Sequence, residues 1–126
     1  MPNSWNNDQP IYKQLRDRVA GLVMDGAISE GDSVPSVRQV SAEQKINHIT
    51  VAKAYQELVD EGVLEMRRGK GMFVLKGARQ KLISAERIKF KEFEIPALLE
   101  RLAHLGISIS ELQAALSLID TTRKDQ

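Results

Sequence analysis

The chain contains no cysteine, which excludes disulfides and thiolate metal sites and suits a reducing compartment. It has two histidines, His48 and His104, and neither a G-x-S-x-G nor an H-E-x-x-H sequence, so catalysis has little support. No metal or cofactor site is expected. Gly69-Lys70-Gly71 is not a nucleotide loop, because a P-loop needs longer glycine spacing and a Ser or Thr after its Lys, and Met72 follows here. No apolar run approaches the roughly 20 residues that span a bilayer. The stretch Met1–Asp8 has neither the basic start nor the apolar run of a signal peptide. A soluble, cytoplasmic protein without a membrane partner is therefore expected.

What is present is a core and a patterned charge. At 42% hydrophobic over 126 residues the chain can bury one domain, or a small domain with an appendage. The net charge of +1 carries no information by itself, but its distribution does. Residues 1–65 sum to −4, residues 66–91 to +8 and residues 92–126 to −3. Local positive charge of this kind is the footprint of a phosphate contact, although an uneven solvated surface produces the same numbers.

The periodicity predicts a helix from near Pro10 to Gly26, with Ile11, Leu15, Val19, Leu22 and Val23 on one face. A short helix follows from Ser36 to about Gln44, opened by the capping box Ser36-Val37-Arg38-Gln39. A third starts at Asn47, a good N-cap, and buries Val51, Ala54, Tyr55, Leu58 and Val59 before Gly62. Two helices so closely spaced read as a helix-turn-helix. Residues 63–66 and 72–75 read as two short strands around Arg67-Arg68-Gly69-Lys70-Gly71. Residues 77–126 read as helical, with a break near 94–96 imposed by Pro96 between a basic helix and an apolar one. Ser108-Ile109-Ser110-Glu111 is a second capping box. The fold class is thus mainly α with a small β-hairpin: a winged helix-turn-helix domain over 9–76, followed by a short α-helical dimerisation tail over 77–122.

In a helix-turn-helix the second helix enters the major groove and its first residues meet base edges. That places His48, Ile49, Thr50 and Ala52 at the bases, with Lys53 and Gln56 further along. His48 can donate or accept, and Ile49 suits a thymine methyl. Ser36 and Arg38 lie at the start of the preceding helix, where Arg38 can clamp a phosphate or reach guanine. Arg67, Arg68, Gly69 and Lys70 form a thin cationic tip that fits a minor groove. Simple solvent exposure is the plain alternative for His48 and Thr50, and an ordinary charged turn for the hairpin. The hairpin's position, directly after the recognition helix, favours a wing. His104 reads as a favourable charge near a helix C-terminus, and Met24, Met66 and Met72 read as core filler. Ile95, Leu98, Leu99, Leu102 and Leu105, then Ile109, Leu112, Leu116 and Ile119, form apolar stripes for a second copy of the chain.

Taken together, Pro10-Ile11-Tyr12-Lys13-Gln14-Leu15, the run 31–38, Thr50-Val51-Ala52-Lys53-Ala54-Tyr55, Glu61-Gly62 and the run 68–74 resemble the winged-helix domain of the GntR family of bacterial transcription regulators. The short tail resembles that family's YtrA-like subgroup. The resemblance covers about residues 9–75. It implies an operator-binding homodimer, usually a repressor and often linked to transporter operons, with DNA contacts at Arg38, His48, Thr50, Lys53, Arg68 and Gly69. Asn47-His48-Ile49 departs from the family's frequent arginine at the start of the recognition helix, so the usual operator does not follow. The expected partners are a pseudo-palindromic double-stranded DNA operator, a second copy, and any small-molecule effector, which a tail this short would bind at the dimer interface or between wing and tail. Two other readings stay open: a winged-helix protein-interaction module, and a non-specific architectural DNA binder.

Overall fold

Pro10 has no amide hydrogen to offer a helix, but its carbonyl accepts from the amides of Lys13 and Gln14 at 3.1 and 3.3 Å and so opens α1 (Ile11–Met24). The computed structural model describes residues 4–124, so Met1–Asn3 of the N-terminal stretch read above lie outside the described residues. Gln14 is buried, and every polar atom of its amide is used. It donates to the carbonyls of Gln9 and Asn6 at 2.7 and 2.9 Å and accepts from the Asn6 amide at 3.1 Å. These bonds fasten the segment before α1 to the helix. Arg18 reinforces them by stacking 3.8 Å above the Trp5 ring and donating to the Ser4 carbonyl.

The expected turn between the next two helices forms. Ser36 caps α2 (Val37–Gln44), its hydroxyl accepting from the Gln39 amide at 3.0 Å. The capping box is only half made, because the Gln39 side chain donates forward to Glu43 instead of accepting from the Ser36 amide. Lys45 closes α2 with a φ of +55°, and Ser41 donates to the Ile46 carbonyl at 2.5 Å. Asn47 then caps α3 (His48–Asp60), accepting from the Ile49 amide at 2.8 Å. Tyr55, fully buried on α3, donates its phenol hydrogen to the Pro35 carbonyl at 2.6 Å.

Strands β1 (Leu64–Arg67) and β2 (Gly71–Val74) pair antiparallel, from Leu64 opposite Val74 to Arg67 opposite Gly71. The strands begin and end one residue off the expected bounds because the turn needs only Arg68, Gly69 and Lys70, the Lys70 amide donating to the Arg67 carbonyl at 2.8 Å. The free edge of β2 is also covered. Ser33 bridges Phe73, Val74 donates to Asp32, and Val34 donates to Met72, both at 2.9 Å. The loop entering the helix-turn-helix is therefore stitched to the hairpin.

One core joins these elements: Leu15, Val19 and Val23 of α1, Val40 of α2, Val51, Tyr55 and Leu58 of α3, and Leu64 and Val74 of the hairpin. Each such side chain contributes about 1.5–3 kcal/mol of burial. Ile11 and Leu22 stand outside it, and Gln14 and Ala20 take those places. Met24 and Met72 pack against the core, whereas Met66 is 64% exposed and fills nothing.

The core also extends past residue 76. Gly77 turns the chain with a φ of +85°, and its amide meets Glu30 Oε1 at 2.5 Å. Ala78 and Leu82 of α4 (Ala78–Lys89) are buried in the core, and Arg79 donates to the Met24 carbonyl at 2.8 Å. The chain divides into two compact units between Ala85 and Glu86. In the second unit Pro96 does not break the helix as expected. Residues Phe90–Glu94 form one π-helical turn that leads directly into α5 (Ile95–Leu105), the Ile95 amide reaching the Phe90 carbonyl. The wider turn changes the hydrogen-bond register just where proline lacks a donor, so helicity continues. Gly106 ends α5 in the left-handed conformation, and Ser108 accepts from the Glu111 amide at 3.1 Å to start α6 (Ile109–Lys124).

Burial pushes the Tyr55 phenol from 10.0 up to about 12. The unfolded chain releases that proton near pH 10, so the tyrosine's contribution is complete below that pH and is lost as pH rises toward 12. Stability should fall by about 1.4 kcal/mol per pH unit over this window from Tyr55 alone. Tyr55→Phe should cost about 1 kcal/mol at neutral pH and flatten that alkaline slope, read by urea unfolding across a pH series. An equally steep slope in the variant would show that the phenol is not the group responsible.

Candidate nucleic-acid interface

The start of α3 is built to be presented to a partner. Asn47 satisfies the helix end by accepting from the Ile49 amide, which leaves the side chains of His48 and Ile49 uninvolved in capping. His48 is exposed, and Ile49 is 66% exposed, unusual for an isoleucine on a helix that buries Val51, Ala54, Tyr55 and Leu58. Ala52 and Lys53 continue the exposed face, while Thr50 is half-buried. From the preceding helix Arg38 faces the same side. Arg38 and His48, with Val37, Ser41 and Ala42, line one open concavity of about 570 Å³. Ser36 sits exposed at the start of α2, its oxygen taken by the cap and its hydroxyl hydrogen still available to donate.

At the hairpin the four expected residues divide. Arg68, Gly69 and Lys70 form the turn itself and are exposed, with Gly69 at a φ of +76° that favours glycine. Arg67 belongs to β1. Its guanidinium donates to Glu65 at 2.8 Å and stacks 4.2 Å from the Phe73 ring, so it is drawn back along the strand. The tip is consequently narrower than the sequence run implied.

Two features escaped the sequence reading. Tyr12 and Lys13 of α1 lie beside Lys53: the Lys53 ammonium is 4.1 Å and the Lys13 ammonium 5.4 Å from the centre of the Tyr12 ring. Lys13 also pairs with Glu57 at 3.3 Å, and the hydrogen bond and charge of that carboxylate raise its pKa above the ordinary lysine value. The second feature is Phe90 and Phe93, 50% and 67% exposed at the π-helical turn. Their three-residue spacing was visible, but the surrounding lysines made the segment read as a basic helix.

In the second unit, Leu98, Leu99, Leu105, Ile109, Leu116 and Ile119 are between 45% and 65% exposed, and Ile95, Leu102 and Leu112 are half-buried. The concavity lined by Ala97, Glu100, Arg101 and His104 holds about 220 Å³, below the roughly 300–1,000 Å³ of usual small-molecule sites. Among the described residues no group of three or more His, Cys, Asp or Glu side chains could hold a metal ion. No helix there is long and apolar enough to cross a membrane.

Comparison with known proteins agrees with this geometry. The family model for bacterial regulatory proteins of the gntR family matches residues 11–74, from the first residue of α1 to the last of β2. The HTH-type transcriptional repressor YtrA of Bacillus subtilis (strain 168) is 32% identical over 103 residues, covering 82% of this chain and 78% of its own length. A transcriptional regulator from Oenococcus oeni superimposes with a TM-score of 0.76 at 28% identity, over 92% of this chain and 95% of the other. A GntR-family regulator from Bacteroides thetaiotaomicron does so with a TM-score of 0.74 at 30% identity, over 90% and 99%.

Proposed function

This chain belongs to the GntR family of bacterial regulatory proteins and is a DNA-binding transcription regulator rather than an enzyme, and from that premise we propose that it is a homodimeric, cytoplasmic repressor of the YtrA-like kind. The winged domain, 9–76 together with the first turns of α4, binds DNA. The remainder of 77–122 joins two copies. The observation that carries the reading is the tail's apolar surface. Neither stripe is fully covered within its own unit: Ile95, Leu102 and Leu112 are half-buried, the other stripe residues are exposed, and α5 fully buries no residue. Helices of 11 and 16 residues with such stripes need a partner surface, and two-fold homodimers are the commonest soluble oligomers. Repression is supported by the similar Bacillus repressor, whose match runs into the tail.

Each site residue has a role in this reading. His48 and Ile49 read base edges in the major groove. Thr50, Ser36 and Arg38 hold the backbone on either side of the concavity, and Lys53 binds a phosphate. Arg68 and Lys70 follow the minor groove, Gly69 allows the tip to approach, and Arg67, paired with Glu65, supports the tip from the end of β1. A two-fold dimer demands a pseudo-palindromic operator with half-site centres about 10 bp or a multiple apart. A non-specific architectural binder would gain nothing from the exposed Ile49. A protein-interaction module would leave the cationic tip idle.

Arg68→Ala and Lys70→Ala should each weaken binding to all DNA sequences and make the log–log salt dependence shallower by about one unit. Unchanged slopes in both would remove the wing from the mechanism. Joint replacement of His48 and Ile49 by Ala should change base preference at one or two positions, by about 1–3 kcal/mol, in a selection of bound fragments. An identical selected operator would mean that α3 docks another way.

The double variant Leu102→Asp, Leu116→Asp should sediment as a monomer, keep a folded winged domain and lose its preference for a palindrome. Tight binding of the full operator by that variant would refute the dimer.

A further inference from the structure

Lys53 stands alone in a way that a lysine on this helix should not. Glu57 lies four residues further along α3, the spacing at which helical ion pairs form. Left to itself, that carboxylate is within reach of the Lys53 ammonium and would offset part of its charge. It is instead engaged from outside the helix, by Lys13 of α1 at 3.3 Å. Lys53 has no ion-pair partner among the described residues. Its ammonium rests 4.1 Å from the centre of the Tyr12 ring, one residue before Lys13.

The two contacts have different electrostatic consequences. A carboxylate holds a lysine by cancelling its charge. An aromatic face holds a lysine through its quadrupole and leaves the full positive charge on display. A free lysine also loses about 2 kcal/mol of rotamer entropy on being fixed, and the ring removes part of that loss before DNA arrives.

We propose that Tyr12 and Lys13 are positioning residues for DNA binding: Tyr12 orients Lys53 toward phosphate without neutralising it, and Lys13 occupies Glu57 so that Glu57 does not. Neither residue needs to touch DNA. The inference rests on the proposed role of Lys53 and assigns the first turn of α1 to the interface through α3.

The test uses the full chain, a mixed-sequence DNA duplex and a salt series, with thermal melts as the check on folding. Lys53→Ala should weaken binding and flatten the salt dependence by about one unit. Tyr12→Leu should weaken binding about two- to fivefold, the range that an exposed cation–π contact supplies, whereas Tyr12→Phe, which keeps the ring, should bind as wild type. Lys13→Gln should weaken binding in the native background and have no effect when Glu57→Gln is already present, because no carboxylate then remains to capture Lys53.

A Lys13→Gln loss that persists beside Glu57→Gln would mean that Lys13 binds phosphate itself and would overturn the proposal. So would wild-type affinity in both Tyr12→Leu and Lys13→Gln while Lys53→Ala binds weakly. Wild-type affinity in Lys53→Ala would overturn both this inference and the role of Lys53 on which it depends.

Discussion

A helix of eight residues is too short to be stable in water by itself, and α2 is eight residues long. What keeps it in place is the bond from the buried Tyr55 hydroxyl to the Pro35 carbonyl, made just before the helix begins. Val40 adds the apolar anchor from within the helix. The relation between α2 and α3, and so between Arg38 and His48, depends on that polar contact together with the burial of Val40. Its hydroxyl cannot lose its proton without leaving a charge in the core, which explains why burial favours the neutral form so strongly.

Polar pairs complete the frame at the surface. Arg16 meets Glu61 through two nitrogens, at 3.0 and 2.8 Å, and also Asp17 at 3.1 Å. Partial burial works against its charge, but the bonds to Glu61 and Asp17 outweigh that and raise its pKa. Together with Lys13 and Glu57, these pairs tie α1 to α3 along one side and use up acidic groups there. The acidic residues of 1–65 keep their net −4, because these ties pair carboxylates with cations of the same segment, but the pairing fixes where those carboxylates point. Several are spent as internal ties, whereas Arg38, Lys53, Arg68 and Lys70 make no such ion pair among the described residues.

Much of this was legible in the sequence because it rests on short-range rules. Asn47 and Ser36 announce helix starts through their own side chains, and Val51, Ala54, Tyr55 and Leu58 repeat at helical spacing. The glycines of the turn mark the hairpin. What was not legible depends on contacts between distant parts of the chain. Ser33 pairs with Phe73 across forty residues, and no local pattern announces a third edge in a two-strand hairpin. Ala78 and Leu82 were visible as an i, i+4 pair, but charged neighbours hid that they complete the core of the winged domain. Pro96 was read as an interruption because proline lacks an amide hydrogen, yet one π-helical turn accommodates it. At the site, the residues were named from position, while the withdrawal of Arg67 onto Phe73 and the contact of Lys53 with Tyr12 required the fold.

The chain's one tryptophan is Trp5, in the segment that Gln14 fastens to α1, with the Arg18 guanidinium lying on its ring. An indole so placed is a built-in optical probe of a single latch. Release of the N-terminal segment changes both the solvent and the cation around the ring, so the emission of the unlabelled protein reports whether that latch is closed. A change confined to the hairpin tip, Arg68 to Lys70, which has no tryptophan of its own, leaves that signal where it is. The native protein thus carries a fluorophore that separates loosening at the start of α1 from loosening at the wing tip.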